Sequence, residues 1–127
     1  MNYLTRQLLN PQETNLLKKN LTLQDISWED GKKTAGSHAA RVKDNLQLDR
    51  NSNISKKCTG LIEKKILSDV LIKSFALPKR IHGTMFTKSL QGMKYGRHID
   101  NAFMSSGRAD LSFTIFLNEK DKYSGGE

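Results

Sequence analysis

The apolar period of this chain changes at Pro78, and that change limits the folds open to it. Before it, Leu61, Ile62, Ile66, Val70 and Leu71 recur at helical spacing with lysines on the opposite face, which predicts a helix over residues 54–75, its first turns weakened by Gly60. After it the period is two. Over 109–117, Leu111, Phe113, Ile115 and Leu117 share one face and Ser112, Thr114 and Phe116 the other, the best strand signal in the chain. Residues 81–86 and 93–99 read as further strands, separated by a turn at Gln91-Gly92. Helices first and strands later predict an α+β fold in a single domain, 1–127.

The first third is punctuated by local signals. Asn10 can cap, Pro11 suits the first helical position and Glu13 can reach back, so a helix over 11–19 is expected, with Leu16, Leu17 and Leu21 as its apolar stripe. Residues 26–31 alternate and end in Asp30-Gly31, a strand followed by a hairpin-type turn. Residues 34–49 are polar, then partly alternating through Val42, Leu46 and Leu48, which reads as a loop leading into a short extended segment.

Composition narrows the class. Hydrophobic residues are 36% and charged residues 27%, suited to a folded domain rather than a disordered chain. No apolar run approaches a membrane span, and Arg6 interrupts the first ten residues, so no secretory leader is expected. The single cysteine, Cys58, cannot pair within the chain; a small packed residue in a reducing, cytoplasmic setting is the expectation. The formal charge is +8 and the pI about 9.7. The lysines are spread in pairs (Lys18-Lys19, Lys32-Lys33, Lys56-Lys57, Lys64-Lys65), a solvated surface rather than a phosphate-tracking groove, so nucleic acid is not the expected partner.

His98-Ile99-Asp100 is the sharpest site candidate. Residues two apart on a strand point to one side, so an imidazole nitrogen and a carboxylate oxygen can approach one cation. Histidine with carboxylate suits Fe(II), Mn(II) or Zn(II), and two such donors with a distant third form the facial triad of non-haem iron oxygenases. Spacing alone is weak evidence. A surface strand end whose His and Asp bond to their neighbours explains the triplet without any metal.

The surroundings are more specific. Phe86, the run Gly92-Met93-Lys94-Tyr95-Gly96-Arg97-His98-Ile99-Asp100-Asn101-Ala102, then Arg108-Ala109-Asp110-Leu111-Ser112, Phe116-Leu117 and Tyr123-Ser124-Gly125-Gly126-Glu127 stand in an order that resembles the PKHD-type hydroxylases. These are relatives of prolyl and lysyl hydroxylases in the iron(II)/2-oxoglutarate dioxygenase superfamily. Trp28, Gly31, Thr34-Ala35-Gly36, Ala40, Val42-Lys43 and Asn45-Leu46-Gln47-Leu48 are similar to that family's N-terminal region, so the resemblance covers about 8–127.

The resemblance implies the first strands of a double-stranded β-helix, or jelly roll, with N-terminal helices packed on one sheet. It implies His98 and Asp100 as the first two iron ligands, with Asn101 and Tyr95 beside the metal and Tyr95 lining a substrate groove. The implied cofactors are Fe(II), 2-oxoglutarate as cosubstrate and L-ascorbate as reductant. The implied reaction hydroxylates an unactivated C–H bond of a peptide or small molecule; self-association is left open. For Tyr95 a purely packing role stays open. So does a loop-pinning contact for Arg108 with Asp110.

Two departures stand out. Ser89 occupies the position nine residues before the first ligand where many members have a tyrosine that contacts 2-oxoglutarate, and Arg97 replaces a common aromatic residue. The family's third iron ligand and its 2-oxoglutarate-binding basic residue fall beyond Glu127. Neither His38, in a polar loop, nor His82, on a strand, is expected to substitute. The chain is therefore expected to be the N-terminal part of such an enzyme, truncated and inactive alone; the alternatives are a non-catalytic remnant or a basic binding module.

Overall fold

The computed structural model describes residues 3–125, so Gly126 and Glu127 of the expected motif, and Met1 and Asn2 of the leader reading, lie outside the described residues. Helix α1 spans Pro11–Leu21 and starts as its sequence demands. The Asn10 side chain accepts from the Glu13 amide at 2.8 Å while the Glu13 carboxylate accepts from the Asn10 amide at 2.8 Å, a reciprocal pair that satisfies two otherwise orphaned donors. Glu13 also receives Lys65 Nζ at 2.7 Å, tying α1 to α3 (Asn53–Ser68); this contact and the cap hold its carboxyl below the usual carboxylate range.

Strand β1 (Trp28–Asp30) ends at the Asp-Gly pair, but no hairpin follows. The Asp30 carboxylate accepts from the Lys32 amide at 2.9 Å and caps a 3-10 turn over Gly31–Thr34. Aspartate serves an N-cap as readily as a hairpin turn. The chain then passes through α2 (Ser37–Ala40), so His38 sits on a short helix rather than in a loop, before β2 (Lys43–Asp44) and β3 (Leu46–Leu48).

The predicted long helix is two. After α3, Asp69 adopts an extended conformation and caps α4 (Val70–Ala76), its carboxylate accepting from the Ile72 amide at 2.9 Å. Strands β4 (Thr87–Lys88), β5 (Lys94–Tyr95), β6 (Phe103–Met104) and β7 (Gly107–Arg108) follow. All pairings are antiparallel. One sheet runs β1-β3-β4, with Trp28 opposite Leu48 and Leu46 opposite Lys88; β2 pairs with β5 and β6 with β7. The class is α+β, and among the described residues the strands make three small sheets that do not close into a jelly roll.

The core forms where α1 and α3 meet the three-stranded sheet: Leu17, Leu48, Cys58, Ile62, Ile66 and Phe86 are buried together. Trp28 is partly buried against this cluster, with Lys88 Nζ 4.5 Å from its ring centre.

Strand expectations fail where no partner exists. Residues 81–85 are irregular, the Phe86 carbonyl accepts from the Leu48 amide at 2.9 Å and the strand proper begins at Thr87, while 93–99 shrinks to Lys94–Tyr95. Residues 109–117 form no ladder with any described element, and Leu111, Phe113 and Phe116 stay about half exposed, although Ile115 and Leu117 touch the core. Alternation selects a face, but only a neighbouring strand can satisfy the backbone. The 42–48 segment inverts the expected alternation. Lys43, Asn45 and Gln47 are buried in one row, whereas Val42 is exposed and only Leu48 of the apolar set is fully buried.

Candidate metal centre

The site is built on the β2–β5 ladder, where Lys43 stands opposite Tyr95 and Asp44 opposite Lys94. The turn that returns the chain to this ladder is closed by the Met93 amide donating to the Leu90 carbonyl at 3.0 Å, with Gly92 at φ 86°. That left-handed conformation favours glycine. Gly96 then docks closely: its amide donates to the Val42 carbonyl at 2.8 Å, and a Cβ here would stand 3.0 Å from the Val42 Cβ. Beyond Gly96 the chain leaves the ladder, so His98, Ile99 and Asp100 are irregular rather than on a strand.

The two side chains nevertheless meet, by a different route from strand alternation. His98 Nε2 lies 3.3 Å from Asp100 Oδ1. His98 Nδ1 is 2.9 Å from the Gly96 carbonyl, which can only accept, so Nδ1 carries a proton. In the neutral ring Nε2 then presents a lone pair toward the carboxylate. Two acceptors facing one another call for a proton or a cation between them. Ile99 points away and is almost wholly exposed, and the pair is open to solvent.

Tyr95 covers the imidazole. The rings are stacked with centres 3.9 Å apart and planes 10° from parallel. Burial, with the Asp100 carboxylate second, pushes the Tyr95 phenol above its ordinary pKa, so it stays protonated at neutral pH. Lys43 Nζ lies 5.2 Å from the centre of the same ring. Only 4% of Lys43 is exposed, and burial pulls its ammonium below the ordinary lysine pKa, with Asp30 opposing.

The other expected residues are less engaged. Asn101 accepts from the Phe103 amide at 3.1 Å and shapes the turn into β6. Ser89 is exposed after β4, and no hydrogen bond or ring contact ties it to His98 among the described residues. Arg108 and Asp110 form an exposed ion pair at 2.6 Å. His82 Nδ1 is 2.7 Å from Ser106 Oγ, and the Arg80 side chain donates to the Ser106 carbonyl. Among the described residues no third His, Cys, Asp or Glu joins the pair. A cavity of about 170 Å³ beside β1 and β3, lined by residues such as Asp30, Gln47 and Asn51, includes neither His98 nor Asp100. No described helix is long and apolar enough to cross a membrane.

Lys43 entered the sequence reading only as part of the family-like stretch Val42-Lys43, with no role at the site. A lysine in an alternating segment reads as solvent-facing, and the available signal was that Lys43, Asn45 and Gln47 share one side.

No family profile matches the chain, and no solved structure is significantly similar to it. Curated sequences are. The chain is 93% identical over all 127 residues to a PKHD-type hydroxylase of Prochlorococcus marinus strain MIT 9215. It is 69% identical over 127 residues to one of strain MIT 9312 and 54% to one of strain NATL2A. In each case it spans 58% of the relative's length. From its first residue to its last the chain is thus similar to somewhat more than half the length of these PKHD-type hydroxylases.

Proposed function

We propose that this chain is the portion of an iron(II)- and 2-oxoglutarate-dependent hydroxylase that supplies two of the metal ligands, His98 and Asp100. The observation that carries the reading is the convergence of Nε2 and Oδ1 at 3.3 Å with Nδ1 committed to the Gly96 carbonyl. Two donors each about 2.1 Å from a shared ion and roughly at right angles lie about 3 Å apart. The pair is close to that separation. The backbone bond to Nδ1 is the arrangement that orients a metal-bound imidazole and sets its tautomer.

Bound Fe(II) would activate O2 for a reaction in which R–H, O2 and 2-oxoglutarate become R–OH, succinate and CO2, and ascorbate would serve only to keep the iron reduced. The protein's own tasks are simpler. His98 and Asp100 would hold the ion, leaving its other positions to further ligands. Tyr95 shields one face of the imidazole, and Asn101 shapes the chain beside it. In the longer protein the exposed strand-like segment 109–117 would find its ladder partners within a jelly roll. The substrate is a peptide or small molecule, and the setting cytoplasmic.

The metal assignment is tested by calorimetry with Mn(II). Because no third donor stands among the described residues, a weak event is expected. His98→Ala and Asp100→Ala should each remove it. Unchanged heats with His98→Ala would overturn the assignment. The 127-residue chain is also expected to form no succinate from 2-oxoglutarate with Fe(II) and ascorbate. Turnover matching that of a full-length relative would show that another residue completes the site.

A further inference from the structure

We propose that Lys43 is a positioning residue for the metal-ligating imidazole, acting through Tyr95: its ammonium against the Tyr95 ring fixes the surface on which His98 stacks. The proposal rests on the reading of His98 as a ligand, but its geometry does not. Cross-strand register places Lys43 opposite Tyr95, so the backbone ladder itself brings cation and ring together. The ammonium lies 5.2 Å from the ring centre, within cation–π range. Its one hydrogen bond among the described residues is a long one, 3.5 Å, to Thr34 Oγ1, and that hydroxyl is shared with the Gln47 side chain.

No carboxylate lies within ion-pair distance of Lys43 among the described residues. A nearly buried cation without an acidic partner is costly, and an aromatic face is one of the few groups that offsets part of that cost. Lys43 therefore gains from holding the Tyr95 ring where it is. Tyr95 stacks on His98 at 3.9 Å, and the Gly96 carbonyl holds the imidazole edge at Nδ1. Two fixed contacts at right angles leave the imidazole little freedom, so Nε2 is aimed before any ion arrives. Gly96 and Tyr95 both belong to the segment that β2 anchors, so the aim of the ligand is set from Lys43 and Val42.

The test reads the stack directly. In the metal-free 127-residue chain carrying Leu111→Lys and Phe113→Lys to keep it monomeric, the His98 ring protons should resonate upfield of a free imidazole because they lie over Tyr95. Lys43→Met should shift them back toward the free position while the amide signals of β1 and β3 stay in place. Tyr95→Leu should do the same, and Lys43→Arg, which keeps a cation, should preserve the parent shift. Mn(II) binding by Lys43→Met should weaken by roughly three- to tenfold, less than the 10–100-fold typical when a group bonded to the ligand itself is removed.

An unchanged His98 resonance in folded Lys43→Met overturns the proposal. If that variant does not fold, Lys43→Gln, which retains a polar group but no charge, is read in its place. Failure of both to fold makes Lys43 a general structural residue and also overturns it. Absence of Mn(II) binding by the parent chain defeats the metal reading instead, while the His98 resonance still decides the role of Lys43.

Discussion

Gly31 sits where the first turn of the sheet passes over Asn45. Its amide donates to the Asn45 carbonyl at 2.9 Å. A Cβ on residue 31 would lie 1.9 Å from Asn45 Oδ1 and 3.1 Å from the Asn45 carbonyl oxygen. The Asn45 side chain is buried, so it cannot swing into water. Gly31→Ala should therefore destabilise the fold by about 1–3 kcal/mol, the usual range for forcing extra atoms into a packed interior. Urea unfolding checks this, with the midpoint falling at unchanged slope. Cys58 is a second residue whose environment decides its chemistry. It is fully buried, and burial raises its thiol above the ordinary pKa, with Lys57 a lesser opposing influence. Thiolate is the reactive form. Native protein at pH 8 should resist a thiol reagent that labels the urea-unfolded chain at once; rapid native labelling would show that the α1–α3 core opens.

The elements owe their limits to caps more than to their apolar stripes. The helical period runs on from Ile66 through Val70 and Leu71, which is why a single helix was expected, yet the ladder stops at Ser68 because Asp69 turns extended and caps the next turn. Arg6 Nε reaches the same carboxylate at 2.6 Å; the Ile72 amide first, then Arg6, holds Asp69 below the usual carboxylate range. Helix α4 ends on Leu77 in the left-handed conformation, φ 45° and ψ 51°, ahead of Pro78. That conformation costs an L-residue about 1–2 kcal/mol, and glycine avoids it at the cost of greater unfolded-state freedom, about 0.5–1 kcal/mol. Leu77 is 80% exposed, so little burial is lost on replacing it. Leu77→Gly should stabilise the chain by roughly 0.5–1 kcal/mol, seen as a rise in thermal midpoint. A lower midpoint would mean that the leucine side chain packs more than its exposure suggests.

For the whole molecule the central asymmetry lies between a closed helical half and an open β half. Leu111, Phe113 and Phe116 expose about half their surface on a segment whose backbone has no ladder partner among the described residues. Exposed apolar side chains on a segment without a ladder partner invite association. The 127-residue chain should bind a hydrophobic dye and self-associate at micromolar concentration despite its +8 charge. Leu111→Lys with Phe113→Lys should restore a monomer in analytical ultracentrifugation without changing the far-ultraviolet circular dichroism. A parent chain that is already monomeric and dye-silent would refute this account of the open half.

What the sequence determined by itself was local. The Asn10–Glu13 capping box, the helical stripe that buries Ile62 and Ile66, the Gly92 turn and the place of Cys58 in the core are all carried by residues a few positions apart. The motifs around His98 and Asp100 were also visible there, and with them the resemblance that the curated relatives share over the whole of this chain. Tertiary structure decided which face turns inward and which residues meet. Lys43, Asn45 and Gln47 are inside because the 3-10 turn covers their side of the segment, Gly31 lying against Asn45 and Thr34 meeting Gln47 and Lys43, a fact that no period of two encodes. Segment 109–117 has the stronger alternation and makes no ladder, because a strand needs a neighbour's amides and carbonyls as well as an apolar face. His98 and Asp100 meet off the strand, since Gly96 ends the ladder against Val42 and its carbonyl then takes the imidazole. Periodicity records a residue's relation to its own element, and long-range pairing chooses among the partners which that relation leaves open.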